Sequence, residues 1–184
     1  VTLLGTATST GIFTVDSPPT ATAGGTQTIC SNATATISGA SATNGTILWT
    51  ENGAGNITAG ATTLTPTYTP TAADAGTSVT LTMTVTSNNA CAPQTQTATY
   101  TVIVNPLPTA TAGGTQTICS NATATVSGAS ATNGTILWTE NGAGTITAGA
   151  TTLTPTYTPT AADAGTSVTL TMTVTSNNAC APQT

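Results

Sequence analysis

Residues 19–95 recur almost letter for letter as residues 108–184, at an offset of 89 positions and with two changes, Ile37 to Val126 and Asn56 to Thr145. A chain written this way is a tandem array, and one folding unit must account for nearly all of it. The segment that follows the first copy, residues 96–107, has no counterpart after the second within the sequence. A segment of similar character stands at the other end. Residues 9–19 (STGIFTVDSPP) lead into the first copy much as residues 100–108 (YTVIVNPLP) lead into the second. The expectation is one spare strand and one missing strand.

Periodicity assigns the unit to the β class. In residues 78–86 (SVTLTMTVT) apolar side chains take every second position, Val79, Leu81, Met83 and Val85, with Thr between them. That is a strand with one buried and one wet face. Tyr100, Val102 and Val104 repeat the pattern, and Ile47 with Trp49 repeats it briefly. The chain's 53 threonines are β-branched and suit the outer faces of sheets. This alternation argues against the disordered, mucin-like stalk that Ser/Thr-rich composition otherwise suggests.

Turn signals fall at Ala23-Gly24-Gly25, Ser38-Gly39, Asn44-Gly45, Asn52-Gly53-Ala54-Gly55, Ala59-Gly60, residues 70–76 and residues 87–93. They divide each unit into about seven short strands, the number of a β-sandwich. Asn105-Pro106-Leu107-Pro108 reads as a semi-rigid connector, and Asp16-Ser17-Pro18-Pro19 as the same joint one unit earlier. The expected organisation is residues 1–18 as strand and linker, 19–107 as a complete repeat with its final strand, and 108–184 as a repeat without it. Core candidates are Ile29, Ile37, Ile47, Trp49, Ile57, Leu64, Tyr68, Val79, Leu81, Met83, Val85, Tyr100, Val102 and Val104, with Trp138 and Leu170 as second-copy counterparts of Trp49 and Leu81. Leu48 and Ile103 fall on the outer face.

Composition removes whole classes of function. There is no Lys, Arg or His, and only five acids, Asp16, Glu51, Asp74, Glu140 and Asp163. Nucleic-acid binding and attachment to anionic lipid both require cations that are absent, and no apolar run is long enough for a membrane span. A Ser-His-Asp triad, a Cys-His pair, a Schiff base, a His-ligated metal and a Lys isopeptide bond are excluded within one chain. The carboxylate pairs Glu51 with Asp74 and Glu140 with Asp163 are the remaining catalytic possibility, a glycosidase pair; a strand-end Glu and a turn-organising Asp account for them more simply. No cofactor is implied; two carboxylates per copy without a clustered acidic loop are thin support for calcium, and a weak site between the copies is the lesser option. Asn32-Ala33-Thr34, Asn44-Gly45-Thr46 and Asn56-Ile57-Thr58 match the N-glycosylation sequon by the chance a Thr-rich chain offers. O-glycans on Thr faces are the stronger expectation. With 3% charged residues, little repulsion keeps copies apart.

Each copy carries two cysteines, Cys30 with Cys91 and Cys119 with Cys180, at the same 61-residue separation. An even count at constant spacing suits one disulfide per copy and an extracellular or periplasmic setting. Pairing of Cys91 with Cys119 across the connector is the lesser option.

The order Cys30, Trp49, Cys91 resembles an immunoglobulin domain in part, although Cys91 falls in the loop after the alternating strand. Gly25-Thr26-Gln27-Thr28-Ile29-Cys30, Ile47-Leu48-Trp49-Thr50, Tyr68-Thr69-Pro70-Thr71-Ala72-Ala73-Asp74-Ala75-Gly76, then residues 79–85 and Cys91, resemble the immunoglobulin-like or PKD-like repeats of large secreted surface proteins of Bacteroidetes. The resemblance implies tandem immunoglobulin-like sandwiches in a non-enzymatic extracellular spacer or adhesin at a bacterial cell surface.

Two assemblies follow. In the first, the N-terminal segment of one chain, Ile12, Phe13 and Val15, with Phe13 and Val15 inward in place of Val102 and Val104, closes the second repeat of another chain by donor-strand complementation. Such head-to-tail contact propagates into a filament of copies of the chain. In the second, the sequence is a window of a longer covalent array, a spacer or a glycan-binding module.

Overall fold

The computed structural model describes residues 10–180. Expectations for residues 1–9 and 181–184 lie outside the described residues. The described chain is all-β, interrupted by two one-turn 3-10 segments, Ala72–Asp74 and Ala161–Asp163. The first copy forms β1 (Thr20–Thr22), β2 (Thr26–Cys30), β3 (Ala35–Thr36), β4 (Ser41–Thr43), β5 (Gly45–Glu51), β6 (Asn56–Ala59), β7 (Thr67–Thr69), β8 (Thr77–Ser87) and β9 (Thr95–Asn105). These are nine strands rather than about seven, because Gly25, Asn32 and Gly39 cut residues 20–43 into four short pieces. The second copy forms β10 (Thr109–Thr111), β11 (Ala124–Thr125), β12 (Ser130–Thr132), β13 (Gly134–Glu140), β14 (Thr145–Ala148), β15 (Thr156–Thr158) and β16 (Leu170–Ser176).

In the first copy the main sheet runs β2-β9-β8-β5, a second sheet runs β3-β7-β6, and β1 pairs with β4. The alternation read in residues 78–86 is realised in β8, whose Val79, Leu81, Met83 and Val85 are buried while the intervening threonines are not. With Trp49, Val102 and Val104 they share one core with Ala35, Ile37 and Tyr68 from the other layer. Outer faces carry cross-strand hydroxyl pairs, Thr20 with Thr43 at 2.7 Å and Thr58 with Thr69 at 3.0 Å, the sheet counterpart of helical side-chain pairs. Trp49 and Trp138 are buried, and each indole N–H donates to a backbone carbonyl, Thr63 and Thr152 respectively, at 2.8 Å. Leu48 stands exposed on the outer face, as expected. Leu64, expected in the core, is exposed in the turn before Pro66. Leu170 departs from its counterpart Leu81, being only half-buried where Leu81 is sealed.

One polar knot sits inside this core. Tyr68 is fully buried; its hydroxyl donates to Asp74 Oδ2 at 2.9 Å and accepts the Gly55 N–H at 3.1 Å. Asp74 also accepts the Ala54 N–H at 2.7 Å and the Thr71 N–H at 2.8 Å. A Cβ at Gly53 or Gly55 would collide with the Tyr68 hydroxyl, so the loop must be glycine there. Burial pushes the Tyr68 phenol up to about 12, helped by its bond to Asp74. Burial also works to raise the Asp74 carboxyl, but the Thr71 and Ala54 amides and the Tyr68 and Thr71 hydroxyls outweigh it and hold the group below its ordinary value.

The contribution of Asp74 to stability is therefore present above its unfolded value, near pH 4, and is lost as pH falls through the lower folded value. The contribution of Tyr68 is present below about pH 10 and lost as pH rises through about 12. Tyr68→Phe leaves the Gly55 N–H without its acceptor and is expected to cost about 1–3 kcal/mol in urea unfolding. The loss should shrink as pH falls through the depressed folded-state value of Asp74, where its carboxyl takes up a proton; an undiminished loss in acid would separate the two residues.

Candidate assembly site

The near-identical copies act as a control for one missing element. In the first copy β9 lies between β2 and β8, parallel to β2 (Thr26 opposite Thr101, Ile29 opposite Val104) and antiparallel to β8 (Thr77 opposite Val104, Leu81 opposite Tyr100). In the second copy no described residue takes that place, and both flanking segments change. Residues 115–119, the counterpart of β2, form no strand, and β16 begins at Leu170 although its counterpart β8 begins four residues earlier in the repeat. The main sheet there is reduced to β13 with β16. Ala23 and Val79 are sealed in the first copy; Ala112 is exposed and Val168 half-buried in the second. The space left is a groove of about 1040 Å³, walled by residues 112–120 and 163–170 with Trp138 and Tyr157 at its floor.

At the other end of the chain, residues 10–19 form no strand, and Ile12, Phe13 and Val15 are 94%, 90% and 90% exposed. Three large apolar side chains within four residues and without cover are unusual in a chain this polar. The 89-residue offset puts Phe13 on Val102, Val15 on Val104 and Asp16 on Asn105.

The joint contacts follow the same offset. Asn44 Nδ2 donates to Pro18 O at 3.0 Å and Asn89 Nδ2 to Ser17 O at 2.9 Å; Asn133 Nδ2 donates to Leu107 O at 3.0 Å and Asn178 Nδ2 to Pro106 O at 2.9 Å. Asn89 Oδ1 accepts from the Ser87 hydroxyl and the Cys91 N–H, and Asn178 does the same for Ser176 and Cys180. Asn44 and Asn133 sit at positive φ, 57° and 58°, where Asn is among the few tolerated residues. In the sequence these asparagines signal turns, and Asn44 also opens a chance sequon. Their second function, gripping the incoming connector, has no signature in a single sequence.

The cysteine pairing corrects the expectation. Cys30 is bonded to Cys180, with Cα atoms 5.5 Å apart, whereas Cys91 and Cys119 are free thiols. Neither Cys30–Cys91 nor Cys119–Cys180 forms. The cause is the parallel course of β2 along β9. It carries Cys30 to the far end of β9, where the Ser31 N–H donates to Asn105 O at 2.9 Å, while Cys91 precedes the start of β9. The eleven residues of β9 put those ends roughly 33 Å apart, far beyond the ~7 Å limit for a bridge. The loop that holds Cys180 meets the connector instead, its Sγ 3.8 Å from Asn105 O, and so reaches Cys30 in the other copy.

Asp74 and its counterpart Asp163 are both engaged by backbone amides and a Tyr hydroxyl; the Thr160 and Ala143 amides hold Asp163 below its ordinary value. That arrangement keeps the carboxyl ionised, unsuited to act as the acid of a glycosidase pair. Among the described residues no three His, Cys, Asp or Glu side chains cluster as metal ligands, and no helix is long and apolar enough to cross a membrane. The disulfide is consistent with an extracellular protein. No protein-family model and no curated protein matches the chain.

Peptide mapping of alkylated, unreduced single chains is expected to return one bridged pair, Cys30 with Cys180, and alkylated Cys91 and Cys119. Recovery of a Cys30–Cys91 peptide would contradict the parallel course of β2.

Proposed function

We propose that the chain is the structural subunit of an extracellular filament at a bacterial cell surface, built of immunoglobulin-like sandwiches and without enzymatic activity. Residues 11–15 of one chain enter the groove of the second copy in another and close its sheet. The observation that carries this reading is the match between an exposed apolar segment and an open groove at one register offset. At that offset Val15 lies opposite Thr166, Phe13 opposite Val168 and Gly11 opposite Leu170, with residues 115–119 alongside in parallel, as β2 lies along β9. Gly11 replaces Tyr100 and Phe13 replaces Val102, so the ring lost at one position returns two residues on. The connector that follows is already gripped by Asn44 and Asn89, which fixes the direction in which one subunit leaves the next.

Head-to-tail addition of this kind has no closing step, so it propagates linearly. Thr-covered faces supply hydroxyls for O-glycans. A second reading is supported by the first copy, whose closing strand belongs to its own chain: in a longer covalent array, downstream sequence fills the groove. The denatured, reduced mass of material from cells separates the two, near 17.8 kDa for exchange and many times that for an array.

Deletion of residues 1–15 is expected to abolish filaments seen by electron microscopy. Phe13→Ala removes a side chain whose burial contributes about 1.5–3 kcal/mol, so the critical concentration should rise roughly 10- to 100-fold. Filaments of normal length from the deleted chain would refute the exchange.

A further inference from the structure

Cys91 and Cys119 have no partner in the chain, yet each stands where a bonded cysteine stands in the other copy. Cys91 is the counterpart of Cys180 and Cys119 of Cys30. The surroundings of Cys91 match those of Cys180 contact by contact. Its N–H is held by Asn89 Oδ1 at 2.9 Å as that of Cys180 is by Asn178 Oδ1 at 2.8 Å. Its Sγ donates to Asp16 O at 3.4 Å, where Cys180 Sγ faces Asn105 O. Asp16 is the residue that falls on Asn105 in the offset. Cys91 is thus presented, half-buried, at the far end of the segment that fills the groove of another chain.

In that groove the parallel partner of the incoming segment is residues 115–119. As Cys30 lies opposite Asn105, Cys119 falls opposite Asp16 of the entering chain, next to that chain's Cys91. We propose that Cys119 of each subunit forms a disulfide with Cys91 of the following one, repeating Cys30–Cys180 across every subunit boundary. The filament is then covalently continuous, with one bridge within each chain and one between neighbours. This inference rests on the strand exchange proposed above. It goes beyond it, because exchange needs no covalent bond. Formation is balanced by an oxidant of the disulfide class, a protein disulfide or oxidised glutathione: the two cysteines lose two protons and two electrons as Sγ bonds to Sγ, and the oxidant leaves as two thiols.

Within one chain the two thiols are unbonded and belong to different copies. Cys91 is in the first copy, beside Asp16, and Cys119 lies in the groove wall of the second. A bond between them inside one subunit would have to span both copies.

The test is assembly of the full chain with oxidised glutathione, from an equal mixture of unlabelled and nitrogen-15-labelled protein, with filaments verified by electron microscopy. After thiol blocking and denaturation without reductant, the expected result is a ladder of multiples of 17.8 kDa that collapses to the single chain on reduction, and a Cys91–Cys119 peptide with mixed isotopes. Cys91→Ser and Cys119→Ser should each still give filaments, which now dissolve to single chains retaining Cys30–Cys180. Should the wild-type filaments dissolve to single chains without reductant, or the bridged peptide be isotopically pure, the intersubunit bond is wrong and strand exchange stands. Failure of the wild-type chain to form filaments under these conditions would overturn both.

Discussion

A strand with a partner on each side cannot be removed without exposing two rows of backbone donors and acceptors, and β9 is such a strand. It joins β2 to β8, carries Tyr100, Val102 and Val104 into the core, and ends at the connector where the disulfide forms. Where no described residue takes its place, the segment equivalent to β2 forms no strand and the β8 equivalent begins four residues later in the repeat. The rest of the second copy keeps its fold: β13 pairs with β16 over seven residue pairs, as β5 does with β8. The loss is local, confined to the two segments that flank the groove. Natural sheets commonly guard an open edge with lysine. This chain has none, and its groove walls are mostly small, uncharged residues, with Asp163 as the one acid.

A chain without cations must also order its polar groups without ion pairs. Two devices replace them. The Tyr68–Asp74 knot satisfies a buried carboxylate entirely from amides and hydroxyls, at a cost in desolvation that its four hydrogen bonds outweigh. At the joints, the Asn89 and Asn178 amides accept from their own loop and donate to the connector, to which Asn44 and Asn133 donate as well. Both devices appear in each copy at the same offset, so the geometry between successive units is written into the repeat itself. The Cys30–Cys180 bridge closes 150 residues, a constraint on the unfolded chain of about 5 kcal/mol in the chain-entropy account.

Much of this was legible in the sequence. Alternation in residues 78–86 and at Tyr100, Val102 and Val104 gave the two long strands and their buried faces, because a period of two needs no tertiary information. The shared 89-residue offset gave the relation between the N-terminal segment and β9. Cysteine pairing was not legible, since spacing carries no direction: the parallel alignment of β2 with β9 is a non-local fact, and an antiparallel course would have turned Cys30 toward Cys91. The exposure of Leu64 is decided by the turn before Pro66, and the half-exposure of Leu170 by a neighbour that the second copy lacks. Asn89 and Asn178 could be read as turn formers but not as grips on a connector more than seventy residues away.

The central claim is that the groove of the second copy accepts residues 11–15 as its missing strand. It is tested most directly by hydrogen exchange on a chain lacking residues 1–15, with a synthetic peptide of residues 10–19 added in excess. Slow exchange should appear at residues 115–119 and 166–170 and leave the first copy unchanged, while a peptide carrying Phe13→Asp and Val15→Asp should have no effect. Unaltered fast exchange at residues 115–119 with the unmodified peptide added in excess would contradict the account.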